Sequence, residues 1–322
     1  MRSLQLFVII SICVALGSCK KDLLHWQKVT QLNSNTHSQL NHVKFLNNRI
    51  CIACGGVTWS QSNVVISVDG GYTWASDTFS SPQIEMFGMG ISANGSICLS
   101  GHNGEILYSK DSGSTWQHKQ ISNWLEYVGG SFVTPDIGIF ASTVLQRQSA
   151  ITRVNSNFDI LDEQTFQFGL NNIYMVSSSA GYVVGYGTVM ITKDRGNTWN
   201  FQNVQGDNFE AMSILGNEIW MCGYMGSIFH TTDGGSNWQR QRNGNDVTLA
   251  RYYLLDILFK DAQHGWAVCD NGKVIYTDDG GNHWEEYTQF TTNSLRSIAL
   301  CPNGDLLVVG DNGSIFRLAT QQ

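Results

Sequence analysis

An eight-residue motif that occurs five times constrains the fold of this chain more than any other feature of its sequence. The motif has Ser or Thr at position one, Asp at three, Gly at five, Thr, Asn or His at seven and Trp at eight. Its copies occupy residues 67–74, 109–116, 192–199, 231–238 and 277–284. Five near-identical copies identify an internal repeat, so the chain is built from one structural unit used several times.

The spacing of the motifs gives the size of that unit. Their Trp residues are 42, 83, 39 and 46 residues apart. We interpret the longest interval as two periods with one degenerate copy at residues 151–158, which ends in Phe158. A repeat of about 40–45 residues with four short strands is typical of a β-propeller blade.

The two ends of the chain complete the blade count. The residues after Trp26 are similar to those that follow the Trp of each motif, although no motif precedes Trp26. Conversely, residues 310–316 resemble the strands that precede a motif. We therefore expect the two ends to form one blade together. The sequence predicts an all-β fold, a seven-bladed β-propeller of four-stranded antiparallel blades, whose ring is closed by pairing of the N-terminal and C-terminal strands.

Within one repeat the strands are separated by Gly, Asn and Asp. Residues 255–259, 265–269, 272–276 and 284–287 are predicted strands, and the motif is the turn between the third and the outer strand. Its Asp accepts backbone hydrogen bonds, its Gly permits positive φ, and its Trp packs between blades. This turn chemistry predicts a structural role for ten residues: Asp69, Trp74, Asp111, Trp116, Asp194, Trp199, Asp233, Trp238, Asp279 and Trp284.

The motif resembles the Asp-box, or BNR repeat, of sialidases and related propellers. The longer unit at residues 256–284 is similar to the repeat of the photosystem II assembly and stability factor family, although Cys269 replaces a Gly of that repeat. The resemblance covers residues 22–322. It implies a seven-bladed, non-enzymatic scaffold that binds another protein, and it implies that a lipid anchor is compatible with the family.

The N-terminus has the features of a targeting segment. Arg2 precedes an apolar run at residues 6–16, which is too short to span a bilayer and has the length of a signal-peptide core. Residues 16–19, Leu-Gly-Ser-Cys, resemble a bacterial lipoprotein box. We predict a lipoprotein signal peptide at residues 1–18, a lipidated Cys19 and a single Asp-box propeller domain at residues 19–322. The alternative is an ordinary secreted protein in which Cys19 merely lies near the cleavage site.

Lipidation of Cys19 sets the expected location. Several acyl chains, palmitate among them, attach a protein stably to a membrane, whereas one chain holds it only marginally. Lys20, rather than Asp, follows Cys19, which by resemblance to Gram-negative sorting favours the outer membrane. We therefore expect a lipid-anchored protein of the cell envelope in a Gram-negative bacterium.

Composition excludes several classes of protein. Charged residues are 14% and hydrophobic residues 42% of the chain, which excludes a disordered protein. The net charge of −7 disfavours nucleic acid as a partner. Eight scattered His show no metal-ligand spacing, so we expect no metal and no cofactor. Four cysteines recur on second strands and are expected to be buried: Cys54, Cys98, Cys222 and Cys269.

The longest connection between repeats follows Trp238 and carries the candidate partner site. Arg and Tyr supply much of the binding energy of protein interfaces. We therefore predict that Arg240, Arg242, Arg251, Tyr252 and Tyr253 bind an envelope protein. A glycan-binding protein and a sialidase-like glycoside hydrolase are the alternatives.

The sialidase alternative requires a defined set of residues. Its chemistry needs three Arg around the substrate carboxylate, a Tyr nucleophile with a Glu partner and an acidic Asp. Arg195 lies inside a motif, and the sequence Arg49-Ile50-Cys51 lacks the Pro of the sialidase signature. We therefore expect no catalytic residues.

Overall fold

Seven four-stranded antiparallel sheets make up the protein. The structure is a computed structural model that describes residues 23–79, 84–122, 124–144 and 148–319. Three short 3₁₀ turns are the only helical elements within these ranges: His102–Gly104, Asp270–Gly272 and Asp311–Gly313. The predicted all-β, seven-bladed propeller is confirmed.

Six blades follow one another along the chain, and the strands of each pair in chain order. Blade 1 contains β2 (Gln39–Phe45), β3 (Cys51–Val57), β4 (Gln61–Ser67) and β5 (Ala75–Phe79), and blade 2 contains β6 (Met86–Ile91), β7 (Ile97–Gly101), β8 (Glu105–Ser109) and β9 (Gln117–Gln120). Blade 3 contains β10 (Glu126–Thr134), β11 (Ile137–Val144), β12 (Gln148–Val154) and β13 (Ile160–Phe166). Blade 4 contains β14 (Leu170–Met175), β15 (Gly181–Gly185), β16 (Thr188–Thr192) and β17 (Asn200–Phe201). Blade 5 contains β18 (Phe209–Leu215), β19 (Glu218–Gly223), β20 (Ile228–Thr231) and β21 (Gln239–Arg242), and blade 6 contains β22 (Leu254–Phe259), β23 (Gly265–Cys269), β24 (Val274–Thr277) and β25 (Glu285–Glu286).

Blade 7 joins the two ends of the chain. It consists of β26 (Leu295–Leu300), β27 (Leu306–Gly310) and β28 (Ile315–Ala319), with β1 (Lys28–Leu32) as its outer strand. β1 pairs antiparallel with β28, from Lys28 opposite Ala319 to Leu32 opposite Ile315. Trp26 lies two residues before β1 and stacks on Tyr287 of blade 6 at a centroid distance of 3.8 Å. The predicted ring closure is thereby confirmed.

The hydrophobic core is a series of layers between neighbouring blades. Each of the seven clusters of buried residues draws its members from two adjacent blades. In the layer between blades 7 and 1, for example, Trp74 packs with Leu307 and Val309. Because every sheet is covered on both sides, the second strands are buried along most of their length, and Gly265–Cys269 is buried throughout.

Blade 3 departs from the repeat where the sequence has the degenerate copy. A five-residue turn at residues 155–159 joins β12 to β13. Phe158 lies in this turn with a φ of 59° and is buried against blade 2, with its ring centroid 4.3 Å from that of Tyr108. Phe158 therefore fills part of the space that a motif Trp fills in other blades.

Candidate interaction surface

The direction of the chain in each blade creates two faces. The turns between second and third strands lie on the same side as the connections between blades, and we call this side the loop face. The turns between first and second strands lie with the Asp-boxes on the opposite side, which we call the box face. The connection at residues 243–253, between β21 and β22, is eleven residues long and is the longest on the loop face.

Each Asp-box is a closed network of short hydrogen bonds. In the box of blade 4, Asp194 accepts bonds from the backbone N–H of Thr198 at 2.9 Å and from its hydroxyl at 2.7 Å. Thr192 donates to the same carboxylate at 2.9 Å and accepts from the N–H of Gly196 at 2.9 Å. Equivalent bonds surround Asp69, Asp111, Asp233 and Asp279. The carboxylate thus holds the turn from within.

The Trp of each box packs against the preceding blade. Trp199 of blade 4 lies in the same cluster as Ile139 and Ile151 of blade 3, and Trp284 of blade 6 packs against a cluster that includes residues of blade 5. The other box residues Trp74, Trp116 and Trp238 are placed in the same way. Each box therefore joins a turn in one blade to the interface with its neighbour.

The five residues proposed for partner binding have different environments. Arg242 is only 7% exposed, and its guanidinium donates to the carbonyl of Gly226 at 2.5 Å and to that of Ala250. Arg251 is exposed on the same connection. Arg242 therefore holds the long connection in place from inside, whereas Arg251 faces solvent.

Arg240 and the two tyrosines lie around this connection. Arg240 is exposed on the outer strand β21, where it donates to the carbonyl of Gln205 at 3.1 Å. The Tyr252 hydroxyl donates to Glu286 at 2.9 Å, and the Tyr253 ring lies 5.0 Å from that of Tyr224. The guanidinium carbon of Arg242 lies 4.8 Å from the centre of the Tyr252 ring. Arg240, by contrast, lies on an outer strand at the rim of the propeller.

Large aromatic side chains are exposed on the loop face. Trp124 is 85% exposed, Trp59 67% and Tyr186 60%, and they lie on a connection or a turn of three different blades. Trp59 also stacks on His102 at 5.4 Å, which orients its indole across the boundary between blades 1 and 2. Surface aromatics of this size are a common feature of protein-binding sites.

The seven innermost strands share a bulge near the loop face. In each of them the register against the second strand shifts by one residue. The residues at the shift line the loop-face half of the central channel, a cavity of about 200 Å³: Asn41, Phe87, Val128, Asn171, Glu210, Leu255 and Arg296. No single residue type recurs throughout these seven positions, so the repeat pattern did not predict them.

Titratable side chains line the channel. Lys44 donates to the carbonyl of Met89 at 2.7 Å. Burial raises the pKa of Asp256 to about 6 and that of Glu210 to about 8. Burial, and secondly the charge of Lys44, lowers the pKa of His42 to about 3. In the described part of the chain, no three His, Cys, Asp or Glu side chains are grouped so as to hold a metal ion.

The arginines are dispersed over the propeller. Arg296 is the one arginine among the described residues that lines the channel. Arg153 pairs with Asp162 in blade 3, and Arg317 pairs with Asp305 in blade 7. The described residues therefore do not form the three-arginine pocket that sialidase chemistry requires.

The cysteines fall into two groups. Cys19 and the signal peptide lie outside the described residues. The predicted burial of Cys54, Cys98, Cys222 and Cys269 is confirmed, and all four are free thiols. Burial raises the pKa of Cys54 and Cys98 to about 12, which keeps these thiols protonated and unreactive. No helix within the described ranges is long and apolar enough to cross a membrane.

Comparison with known sequences identifies relatives of the repeat. The sequence profile of the photosynthesis system II assembly factor YCF48 matches residues 154–248. The photosystem II assembly lipoprotein Ycf48 of Synechococcus sp. (strain CC9902) is 28% identical over 171 residues, which cover 51% of this chain and 50% of that protein. The chain thus spans about half the length of the curated relative that it matches.

Solved structures extend the likeness to the whole ring. YCF48 from Cyanidioschyzon merolae has a TM-score of 0.68 at 16% identity, over 90% of this chain and 98% of that one. A YCF48 bound to a D1 peptide also has a TM-score of 0.68 at 16% identity, over 93% of this chain and 100% of that one. The WD40 repeats of RRP9 reach 0.70 at 10% identity, over 93% and 99%. At these identities the structures share the fold alone. The seven-bladed ring is the fold of these structures, and the sequence matches make this chain similar, over part of its length, to the photosystem II assembly factor-like propellers with BNR repeats.

Proposed function

We propose that this protein is a non-catalytic, lipid-anchored scaffold of the cell envelope that binds a protein partner through its loop face. The exposed Trp59, Trp124 and Tyr186 carry this proposal. Burying exposed aromatic rings in an interface is strongly favourable because each removes a large apolar area from water. Arg240 and Arg251 are exposed cationic groups on blade 5 and on its connection to blade 6, in a protein whose net charge is −7.

The relatives support both parts of the proposal. One structural neighbour is a YCF48 bound to a D1 peptide, which supports a peptide segment as the kind of ligand that this ring takes. The curated relative is a photosystem II assembly lipoprotein, which supports lipid attachment. A scaffold role also agrees with the dispersed arginines of the described residues, because a sialidase would need three of them in one pocket.

Site-specific photocrosslinking in cells tests which face binds the partner. A photoreactive phenylalanine analogue would replace Trp59, Trp124 or Tyr186 on the loop face, and Lys193 or Arg195 on the box face. Lys193 and Arg195 are exposed and lie in an Asp-box turn, so they are matched positions of similar accessibility. We expect discrete protein adducts from the loop-face positions only. Adducts from the box face alone, or from no position, would contradict the proposal.

A second experiment measures the contribution of the long connection. With the crosslinked partner in purified form, the double change Arg240→Ala and Arg251→Ala should weaken binding about tenfold or more, as for interface hot spots. The matched control is Lys193→Ala with Arg195→Ala, which removes the same charge from the box face. Equal binding by the two variants would locate the partner away from residues 240–253.

The lipid anchor is tested separately. Replacement of Cys19 with Ala should abolish labelling by radioactive palmitate and leave an unprocessed precursor outside the lipidated fraction. Wild-type protein should sediment with the outer membrane in a density gradient, and globomycin should block its processing. Processing that persists in globomycin would argue for ordinary secretion instead.

A further inference from the structure

A second pocket lies on the box face, away from the loop face and the channel. It has a volume of about 250 Å³ and lies between blades 2 and 3. Its walls come from the turn between the first two strands of each of these blades and from the short turn at residues 155–159.

The pocket exists because blade 3 has no Asp-box. In blades 2 and 5 the Gly at position five of the box covers the third strand of the preceding blade. A methyl group added at Gly113 would lie 3.2 Å from Ile66, and one added at Gly235 would lie 2.7 Å from Ile191. Ile66 and Ile191 each lie one position before the Ser or Thr that opens the Asp-box of their own blade. Tyr108 occupies the equivalent position in blade 2. Without a box above it, Tyr108 is left half-buried in the pocket wall.

The floor of the pocket is aromatic. The rings of Tyr108 and Phe158 lie 4.3 Å apart and tilted by 33°, and half-buried Phe132 adds a third ring to the lining. The Tyr108 hydroxyl donates to Gln117 at 2.6 Å, which fixes the ring in place. A flat ligand with an apolar face can therefore stack on a preformed surface.

The rim of the pocket is polar and carries one charge of each sign. Asn94, Ser96 and Ser156 supply amide and hydroxyl groups. Lys110 and Asp136 are exposed, and neither forms an ion pair within the described residues.

These two charges favour neither sign of ionic ligand. The Lys110 ammonium lies 6.0 Å from the Tyr108 ring centre, where it faces the ring as a cation. Lys110 would repel a cationic ligand while Asp136 attracts it, and the reverse holds for an anionic ligand. The hydroxyl groups of a neutral ligand can form hydrogen bonds with both side chains.

We propose that this pocket, defined by Tyr108, Phe132, Phe158, Asn94 and Ser156, binds a neutral pyranose ring of a glycan. One face of such a ring is formed by C–H groups that stack on aromatic side chains, and its hydroxyls match the polar rim. The volume of about 250 Å³ is below that of drug-sized sites and suits one sugar ring rather than a folded peptide segment. This site is distinct from the partner surface on the loop face.

Saturation-transfer NMR on the full chain, purified without any sugar-based detergent, tests the proposal. The probes are maltotriose and chitotriose, with tetramethylammonium chloride and sodium acetate as the ionic comparisons. We expect transfer from aromatic protons to the ring protons of at least one saccharide, and none to either ion. Tyr108→Ala should reduce the affinity about tenfold, whereas Tyr72→Ala, at an exposed tyrosine in the Asp-box of blade 1, should leave it unchanged.

A second variant fills the pocket instead of emptying it. Residues 154–161 would be replaced by the sequence of residues 192–199, which restores an Asp-box to blade 3, because Arg153 pairs with Asp162 as Ile191 pairs with Asn200. We expect this variant to fold with at least wild-type thermal stability and to lose saccharide binding. Binding that survives both Tyr108→Ala and the graft would overturn the proposal. So would binding of an ion in place of a saccharide, or the absence of binding by both saccharides.

Discussion

Arg242 and Arg251 show at the scale of single residues how the fold assigns different roles to the same side chain. Both belong to the stretch around the connection at residues 243–253. The Arg242 guanidinium is buried and donates to carbonyls of Gly226 and Ala250, which belong to two different loops. A buried carbonyl that loses a charged donor keeps its desolvation cost without a partner. Arg242 therefore has a structural role, and Arg251 is free to meet a partner.

We predict that Arg242→Ala lowers the free energy of unfolding by about 2–3 kcal/mol, because the buried carbonyl of Gly226 and the part-buried carbonyl of Ala250 lose their charged donor. Arg251→Ala should change the free energy of unfolding by less than about 0.5 kcal/mol, since its side chain is exposed. Urea denaturation followed by Trp fluorescence measures both. Equal stability of the two variants would show that the hydrogen bonds of Arg242 make no net contribution to the free energy of unfolding.

The Asp-box is the element that repeats, and its chemistry gives it a pH dependence. Hydrogen bonds from Asn237 lower the pKa of Asp233 to about 2, and bonds from Thr115 lower that of Asp111 to about 2. Hydrogen bonds from Thr198 lower the pKa of Asp194 as well. The ordinary value is 3.8, so the folded protein binds protons less readily than the unfolded chain. The boxes therefore stabilise the fold above about pH 4, and this contribution is lost as the pH falls towards about 2.

We predict that Asp233→Asn makes the free energy of unfolding depend less steeply on pH between about pH 4 and pH 2, because one carboxyl with a lowered pKa is removed. The slope should fall by as much as the equivalent of one proton bound on unfolding. Urea midpoints measured across this range give the slope. Ser236→Ala is the matched control, since it alters a neutral side chain in the same turn and should keep the wild-type slope. A slope unchanged in Asp233→Asn would mean that this carboxylate does not contribute.

Closure of the ring is a property of the whole molecule. β1 covers β28 and is supplied from the other end of the chain, about 290 residues away. Leu24 also pairs with Tyr287 at the edge of blade 6, and its N–H donates to the carbonyl of Glu286 at 3.0 Å. The N-terminal segment therefore holds blades 6 and 7 together, and without it β28 would be an unpaired edge strand.

We predict that a chain beginning at residue 33, which lacks β1, loses about 4 kcal/mol or more of stability and unfolds roughly 10 °C lower. Its exposed β28 edge should also cause association at high concentration. The control is a chain beginning at residue 23, which keeps the strand. Thermal unfolding by circular dichroism and light scattering after gel filtration measure the two effects. Identical melting and a monomeric state for both chains would contradict the role of β1 in closure.

The sequence determined the number of blades and the closure of the ring. Both follow from local information: a turn that needs Asp, Gly and Trp at fixed spacing, repeated at a nearly constant period. Trp26 and the strand at Ile315–Ala319 could be joined from sequence because each is half of a known repeat. The burial of Cys54 and Cys269 followed in the same way, since second strands lie between two covered faces.

The tertiary structure alone decided which side chains face solvent in the connections, turns and bulges. The burial of Arg242, the bulges that place Glu210 and Arg296 at the channel mouth, and the pocket beside Tyr108 depend on residues of other blades. A local pattern specifies a turn because the turn's hydrogen bonds lie within a few residues. Burial of a loop side chain depends on what packs against it from elsewhere in the ring, and no spacing along the chain encodes that.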